Sequence, residues 1–195
     1  MSGPTKLTLQ DLLRAQHVKR WHIVNTSREQ TLAEHQYNVT TIALALYNSL
    51  VGVDLVINAG EICVLTLAAL YHDAPEVRTG DIPTPSKRLI RHFGGAELFD
   101  NIENLINPDI PFIGKPHSGV RSLNNFIVMA DHIDAAYWIR EHAVGARARE
   151  VADKCWQNME DKTNELSAGT DQNWRLAVND VLVSLLCPTM KSSLS

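Results

Sequence analysis

Two residue types that ligate metals stand side by side in the sequence, because His72 is followed directly by Asp73. A second histidine, His35, lies far upstream, and a carboxylate, Asp131, lies far downstream in a second apolar segment. Imidazole nitrogen and carboxylate oxygen are donors that suit Mn, Fe, Co and Zn. Residues so widely separated meet only if a fold gathers them. The sequence therefore predicts one divalent-metal site built from distant segments.

Each of these residues also has an ordinary interpretation. A histidine on an apolar helix is commonly satisfied by a single hydrogen bond, and Asp131 could form a buried salt bridge with an Arg or Lys. A carboxylate in an apolar helix does need a cation or strong donors to offset its desolvation. Helix neighbours point about 100° apart, so His72 and Asp73 converge on one ion most readily where a helix ends.

The composition is that of an ordinary globular protein, with 195 residues, 45% hydrophobic and 21% charged, and we expect one domain over residues 1–195. The net charge of −4 and the absence of a basic stripe argue against a nucleic-acid polymer as the partner. Three cysteines without a Cys-x-x-Cys pattern favour reduced thiols. No signal segment and no apolar run of about 20 residues is visible. We therefore expect a soluble, cytoplasmic protein that binds no membrane.

Helical patterns dominate the chain, and strand alternation is missing. Thr31 and Glu34 have capping-box spacing ahead of apolar residues that recur every three or four positions. Thr8 with Asp11, and Asn58 with Glu61, predict two further helix starts in the same way. Pro75 disfavours helical geometry just before it, which predicts a helix end near residue 73. The predicted fold class is all-α.

Glycine and proline punctuate the remainder of the chain. They predict loops over residues 79–86 and 107–119. The other predicted helices span residues 86–94, 96–106, 120–142, 147–166 and 173–186, and residues 191–195 are predicted to form a frayed tail. The metal-ligand candidates and the 79–86 loop must then be positioned by a helical bundle.

Several motifs together resemble the HD-domain phosphohydrolases. They are Arg20-Trp21, Ala33-Glu34-His35, Tyr71-His72-Asp73-Ala74-Pro75-Glu76, Thr79-Gly80-Asp81-Ile82-Pro83-Thr84-Pro85-Ser86-Lys87 and Ala130-Asp131. The likeness covers residues 14–142 and is closest to the YfbR-type 5′-deoxynucleotidases. It implies an all-helical fold with one divalent ion (Co, Mn, Zn or Mg) held by His35, His72, Asp73 and Asp131.

The same resemblance implies roles around that ion. Glu76, beside the ligand Asp73, would be the catalytic acid or base; its alternative is a solvated loop carboxylate. Arg20, Asp81 and Thr84 would surround the phosphate and sugar, with Trp21 near the sugar. An exposed helix-end arginine and a core tryptophan are the competing interpretations of the Arg20-Trp21 pair.

A narrower likeness is to the phage DatZ-type enzymes, which destroy dATP. It rests on Trp21-His22-Ile23 together with Pro85. In that group the matching residues shape the base and deoxyribose pocket, and the residue matching Ile23 lies where a 2-amino group on the purine would fall. Lys87 suits the β- and γ-phosphates if the substrate is a triphosphate.

The expected reaction is metal-dependent hydrolysis of a deoxynucleotide at the α-phosphorus, converting dATP to deoxyadenosine and triphosphate. The alternative is a 5′-nucleotidase acting on deoxynucleoside monophosphates. A regulatory protein without catalysis and a purely structural helical protein are competing classes. The resemblance further implies a homo-oligomer, a dimer or a hexamer, in the host cytoplasm if the chain is phage-encoded.

Overall fold

The computed structural model describes residues 7–52, 55–94, 97–98, 101, 121–170 and 173–186. Its helices are α1 (Leu9–Leu12), α2 (Leu32–Val51), α3 (Leu55–Leu70), α4 (Glu76–Thr79), α5 (Thr84–Gly94), α6 (Arg121–His142), α7 (Ala146–Gly169) and α8 (Trp174–Leu186), with a 3₁₀ turn at Leu13–His17 after α1. Within these residues the β-structure consists of isolated bridges, Lys19 with Thr31 and Thr26 with Ala143. The predicted all-α class is confirmed.

The main core is formed by side chains from α2, α3, α6, α7 and α8. Phe126 of α6 lies between two other aromatic rings, with centroids 5.4 Å from Tyr47 and 5.0 Å from Trp174. Met129 and Ile133, one turn apart on the same helix, are fully buried. This packing holds α6 alongside α2. It thereby sets the helix that carries Asp131 against the helix that carries His35.

The two N-terminal caps differ in detail. Thr8 and Asp11 form the complete predicted capping box, since each side chain accepts a hydrogen bond from the other residue's backbone amide. At α2 the Thr31 hydroxyl accepts from the Glu34 amide at 3.2 Å, but the Glu34 carboxylate instead receives two bonds from Arg28. A bidentate guanidinium–carboxylate pair is stronger than a bond to a neutral amide. The second half of the α2 capping box was therefore predicted wrongly.

The predicted start of α3 at Asn58 is also wrong, because the helix already begins at Leu55. Asn58 and Glu61 both bind the hydroxyl of Tyr47 on α2 instead: Asn58 Nδ2 donates to it at 3.1 Å, and it donates to Glu61. A tertiary contact has thus replaced the local cap. The helix ends at Leu70, close to the predicted end, and a turn over residues 71–75 leads into α4.

The loop that follows is shorter than predicted. Residues 76–79 form α4 and α5 begins at Thr84, which leaves only residues 80–83 between them. The helices predicted over 120–142, 147–166 and 173–186 correspond to α6, α7 and α8. The predictions for residues 107–119 and 191–195, and most of 96–106, lie outside the described residues. None of the helices in the described part of the chain combines the length and hydropathy needed to cross a bilayer.

Candidate metal centre and substrate cavity

The four predicted ligands lie together where α2, the turn after α3 and α6 meet. His72 Nε2 is 3.2 Å from Asp73 Oδ2, and His35 Nε2 is 3.4 Å from the same oxygen. On the other side, His35 Nε2 is 3.3 Å from Asp131 Oδ1. One ligand atom from each of His35, His72 and Asp73 lies within 4.8 Å of the other two, and Asp131 adjoins this trio through His35.

These separations suit a bound cation. Ligand atoms placed tetrahedrally at about 2.0–2.1 Å from a zinc ion are themselves about 3.4 Å apart. Among the described residues the close ionic contact of Asp131 is His35 rather than an Arg or Lys, and the charge of Arg20 acts on it from beyond ion-pair distance. The Asp131 side chain keeps 44% of its surface exposed. The carboxylate thus opens onto a cavity instead of being locked in a buried pair.

Hydrogen bonds orient both imidazole rings toward the centre. His35 Nδ1 lies 2.6 Å from Asp134 Oδ2, and His72 Nδ1 lies 2.7 Å from the carbonyl oxygen of Ala69. Carboxylate and carbonyl oxygens only accept, so each Nδ1 must carry the proton. The Nε2 atoms are buried, make no hydrogen bond and face the centre, so each offers a lone pair to a cation that displaces the proton from that nitrogen. The tautomer protonated at Nδ1 is the one that a metal ligand requires.

The local charges favour a positive charge at this point. Burial and Arg20 lower the pKa of His35, but the carboxylates of Asp131, Asp134 and Asp73 outweigh them and raise that pKa to about 10. Burial raises the pKa of Asp131, yet His35 and Arg20 bring it down to about 2. A site that holds a proton this firmly between carboxylates is equally suited to a divalent cation.

Asp134, Gln30 and Asn38 were not predicted from the sequence. The Asp134 carboxylate is 1% exposed and accepts three hydrogen bonds, from His35, from Gln30 Nε2 at 2.9 Å and from Asn38 Nδ2 at 2.8 Å. Two of these residues had a detectable signal. Asp134 follows Asp131 by three positions, and Asn38 follows His35 by three, so each shares a helix face with a ligand.

Glu76 opens α4 and is 7% exposed, which rules out the solvated-loop interpretation. Lys87 Nζ donates to Glu76 Oε1 at 3.0 Å, whereas the buried Oε2 has no hydrogen-bond partner. Burial and the negative charge of Asp73 raise the pKa of Glu76 to about 7, against the opposing effect of Lys87. Its free oxygen is therefore able to give or take a proton.

Arg20 and Trp21 line the cavity that adjoins the metal centre. The side chain of Arg20 is 12% exposed, so the exposed helix-end interpretation is wrong, and its Nη1 lies 3.5 Å from Asp73 Oδ2. Trp21 has a φ of +61°, which is rare for a residue with a side chain. Its ring stacks on Trp138 with centroids 5.8 Å apart and planes 5° from parallel.

A cavity of about 840 Å³ adjoins the centre and is lined by Asp73, Glu76 and Asp131. All seven predicted substrate-contact residues line it as well, namely Arg20, Trp21, Ile23, Asp81, Thr84, Pro85 and Lys87. The wall formed by α7 was not predicted. It contributes Val151, Lys154, Cys155 and Lys162, whose sequence pattern carries no catalytic motif.

Comparison with known proteins gives a consistent picture. Residues 9–148 match the family model described as 5′-deoxynucleotidase YfbR-like. The chain is 35% identical over 144 residues to the dATP triphosphohydrolase of Salmonella phage PMBT28, covering 71% of this chain and 69% of that protein. It is 36% identical over 143 residues to the dATP triphosphohydrolase of Acinetobacter phage SH-Ab 15497, covering 70% and 68%.

A solved structure shares the fold. It is the HD phosphohydrolase (DatZ) of cyanophage S-2L bound to dA and one catalytic Zn²⁺ ion, with a TM-score of 0.70 and 24% sequence identity. The match covers 96% of this chain and 99% of that one. The helical architecture described above is therefore that of an HD phosphohydrolase.

Proposed function

We propose that this chain, which belongs to the 5′-deoxynucleotidase YfbR-like family, is a metal-dependent phosphohydrolase that converts dATP to deoxyadenosine and triphosphate. The observation that carries the proposal is the position of His35, His72, Asp73 and Asp131 beside one cavity that contains every predicted substrate contact. The phage relatives named dATP triphosphohydrolase support this substrate.

The cation would be held by His35 Nε2, His72 Nε2 and the carboxylates of Asp73 and Asp131. When bound, a divalent ion lowers the pKa of a water molecule and polarises the phosphoryl oxygens. A mixed set of imidazole and carboxylate ligands accepts Zn, Co or Mn, and Mg with less preference. The Zn²⁺ ion of the cyanophage S-2L relative supports zinc as the first metal to test.

The chain's own residues then place and protonate the substrate. Arg20 has buried guanidinium nitrogens without hydrogen bonds, which suit a phosphate oxygen. Water adds to the α-phosphorus and the bond to the 5′-oxygen breaks. Glu76 Oε2 donates a proton to that departing oxygen and regains one from the water that has added, while Lys87 keeps the carboxyl group in place.

The sugar and base would lie against the wall formed by Trp21, Ile23 and Pro85. The indole of Trp21 is held by its stack on Trp138, so it would offer a rigid surface to the deoxyribose. An indole that does not move aside would exclude a ribose 2′-hydroxyl. Ile23 keeps 58% of its surface exposed, so it can contact a purine edge.

The second candidate is a 5′-nucleotidase for deoxynucleoside monophosphates, which the family description supports. The same ligands and the same Glu76 would serve it. The extent of the cavity favours the triphosphate, because Lys154 lines it together with Lys87 and offers positive charge to a longer phosphate chain. Lys162 also lines it but is paired with Glu165 at 2.7 Å.

The deciding experiment incubates the purified protein with Zn²⁺, Co²⁺, Mn²⁺ or Mg²⁺ and with either dATP or dAMP, followed by chromatography of the products. We expect deoxyadenosine and intact triphosphate from dATP, with slower turnover of the other deoxynucleotides and of ATP. Orthophosphate release from many deoxynucleoside monophosphates, with dATP left intact, would establish the second candidate. No hydrolysis of either substrate would favour a regulatory protein.

Three further properties are proposed with this function. The chain forms one domain, it works in the cytoplasm where its nucleotide substrate is found, and it assembles into a dimer or hexamer without a nucleic-acid polymer as partner. Leu89 and Phe93 on α5 are exposed apolar residues available for such assembly. Light scattering coupled to size-exclusion chromatography gives the subunit number, and a monomer at all concentrations would contradict the assembly.

A further inference from the structure

We infer that Gln30 is a positioning residue that couples the wall of the substrate cavity to the metal centre. It forms the middle of a hydrogen-bonded chain that runs from Trp21 through Gln30 and Asp134 to His35, hereafter the Gln30 chain. Trp21 Nε1 donates to Gln30 Oε1 at 2.8 Å, and Gln30 Nε2 donates to Asp134 Oδ2 at 2.9 Å. The inference rests on the proposed metal site, because His35 is one of its ligands.

The chemistry of its two end groups fixes the direction of each hydrogen bond in the Gln30 chain. The indole nitrogen of Trp21 can only donate, and the Asp134 carboxylate can only accept. The amide of Gln30 must therefore point its oxygen at Trp21 and its nitrogen at Asp134, since the reverse would break both bonds. Asp134 Oδ2 then accepts a hydrogen bond from His35 Nδ1–H at 2.6 Å, and His35 directs Nε2 at the centre.

Gln30 is itself held rigidly. The residue is completely buried, and its backbone oxygen accepts from the Arg20 amide at 2.9 Å. One residue thus contacts the backbone of Arg20 and the side chain of Trp21, the two residues proposed to meet phosphate and sugar. Trp21 needs such support, because its φ of +61° is a sparsely populated conformation for a residue with a side chain.

The Gln30 chain makes metal binding and the placement of the Trp21 side chain depend on each other. A cation on Nε2 makes the Nδ1 proton of His35 more acidic and strengthens its bond to Asp134. A carboxylate drawn toward His35 also repositions the amide of Gln30, and with it the acceptor for Trp21. Coupling between two sites is reciprocal, so a change at Trp21 must alter metal affinity in turn.

The direct test is a Zn²⁺ titration followed by the indole N–H resonances in ¹⁵N-labelled full-length protein, with no substrate present. The W21F variant identifies the Trp21 signal. We expect that signal to shift in proportion to zinc occupancy and its exchange with water to slow. Trp156, whose Nε1 donates to Glu160 at 3.0 Å and takes no part in the Gln30 chain, serves as the internal control and should not respond.

Two variants separate coupling from simple support of Asp134. Gln30→Met keeps the size of the side chain and removes both hydrogen bonds of the amide. Asn38→Ala removes a different bond to the same carboxylate and leaves Trp21 untouched. Both should weaken Zn²⁺ binding, by about threefold to tenfold, somewhat less than the usual loss of a direct partner of a ligand. Only Q30M should abolish the zinc response of the Trp21 signal.

W21F provides a second route if Q30M does not fold. It keeps an aromatic ring against Trp138, although a smaller one, and removes the donor to Gln30, so reciprocity predicts Zn²⁺ binding weakened by about twofold to fivefold. A Trp21 signal that stays still while zinc saturates the wild-type protein, with unchanged zinc affinity in W21F, would overturn the coupling and leave the metal site standing. Failure of the wild-type protein to bind zinc or any other divalent ion would overturn the proposed function as well.

Discussion

The floor and the rim of the cavity are built differently. Asp73, Glu76 and Asp131 line the floor. Directly behind it His35 and Asp134 are 0% and 1% exposed, and the hydrogen bonds of Asp134 to His35, Gln30 and Asn38 fix their orientation. On the rim, Ile23 is 58% exposed, and α5 starts with exposed residues after a four-residue loop. On the proposed function, the floor would hold what every phosphoester substrate needs, and the rim would distinguish one nucleotide from another.

The energetic consequences differ accordingly. Removing one partner from a buried polar network leaves its neighbour unsatisfied, at a cost of about 1–3 kcal/mol before any effect on chemistry. A change on an exposed rim is usually within about 0.5 kcal/mol for stability. Floor variants should thus reduce metal binding and turnover for all substrates, whereas rim variants should redistribute activity among substrates.

The largest effect is expected from Asp131→Asn on the floor. The amide cannot supply the negative charge that balances the cation, so we predict loss of stoichiometric Zn²⁺ and activity reduced to background. Metal analysis by mass spectrometry and product chromatography measure the two effects. Asp161→Asn is the matched control, because Asp161 lines the same cavity on α7 away from the ligands. Normal zinc content in D131N with wild-type turnover would contradict the ligand assignment.

Glu76→Gln, also on the floor, should reduce turnover and leave metal binding unchanged. It keeps the shape of the side chain and removes the transferable proton, so we expect turnover to fall by about 10²–10⁴-fold. Zinc content should remain that of the wild-type protein, because Glu76 is not a ligand. Turnover within a few-fold of wild type would show that Glu76 acts only as a partner for Lys87.

The contrast between floor and rim also explains what could be predicted from the sequence. The helical bundle followed from apolar periodicity, and the ligand residues from their chemical types together with the surrounding motifs that resemble the HD-domain phosphohydrolases. The spacing of Asp134 from Asp131 was its only signal in the sequence, and Gln30 had none, because the role of an amide depends on what it contacts in the fold. The shifted start of α3 has a similar cause, since Asn58 and Glu61 have the spacing of a local cap but bind Tyr47 on another helix.

On the rim, Ile23→Ala should change selectivity and leave the metal centre intact. We expect discrimination between dATP and its 2-amino analogue to fall by about threefold to tenfold, below the range of a fully packed pocket because Ile23 is largely exposed. Competition kinetics with both nucleotides measure the ratio. Ile82→Ala, on the same cavity, is the control and should leave the ratio within about twofold. An unchanged ratio in I23A would remove Ile23 from the base pocket.

The smallest effect is expected from Lys154→Ala on the α7 wall. An exposed ion pair contributes about 0–1 kcal/mol, so the KM for dATP should rise by only about twofold to fivefold. The KM for dAMP should stay constant, because on this proposal Lys154 meets only the distal phosphates of a triphosphate. Steady-state kinetics on the two substrates at low and high salt give the comparison. Equal increases for both substrates would place Lys154 outside a triphosphate subsite.

The central claim, that four distant side chains share one catalytic cation, is tested most directly by anomalous scattering from crystals of the zinc-loaded protein at the zinc absorption edge. We predict a single strong peak per chain at about 2.0–2.2 Å from His35 Nε2, His72 Nε2 and the carboxylates of Asp73 and Asp131. A peak bound elsewhere, or a site that leaves two of these four side chains beyond bonding distance, would contradict the account.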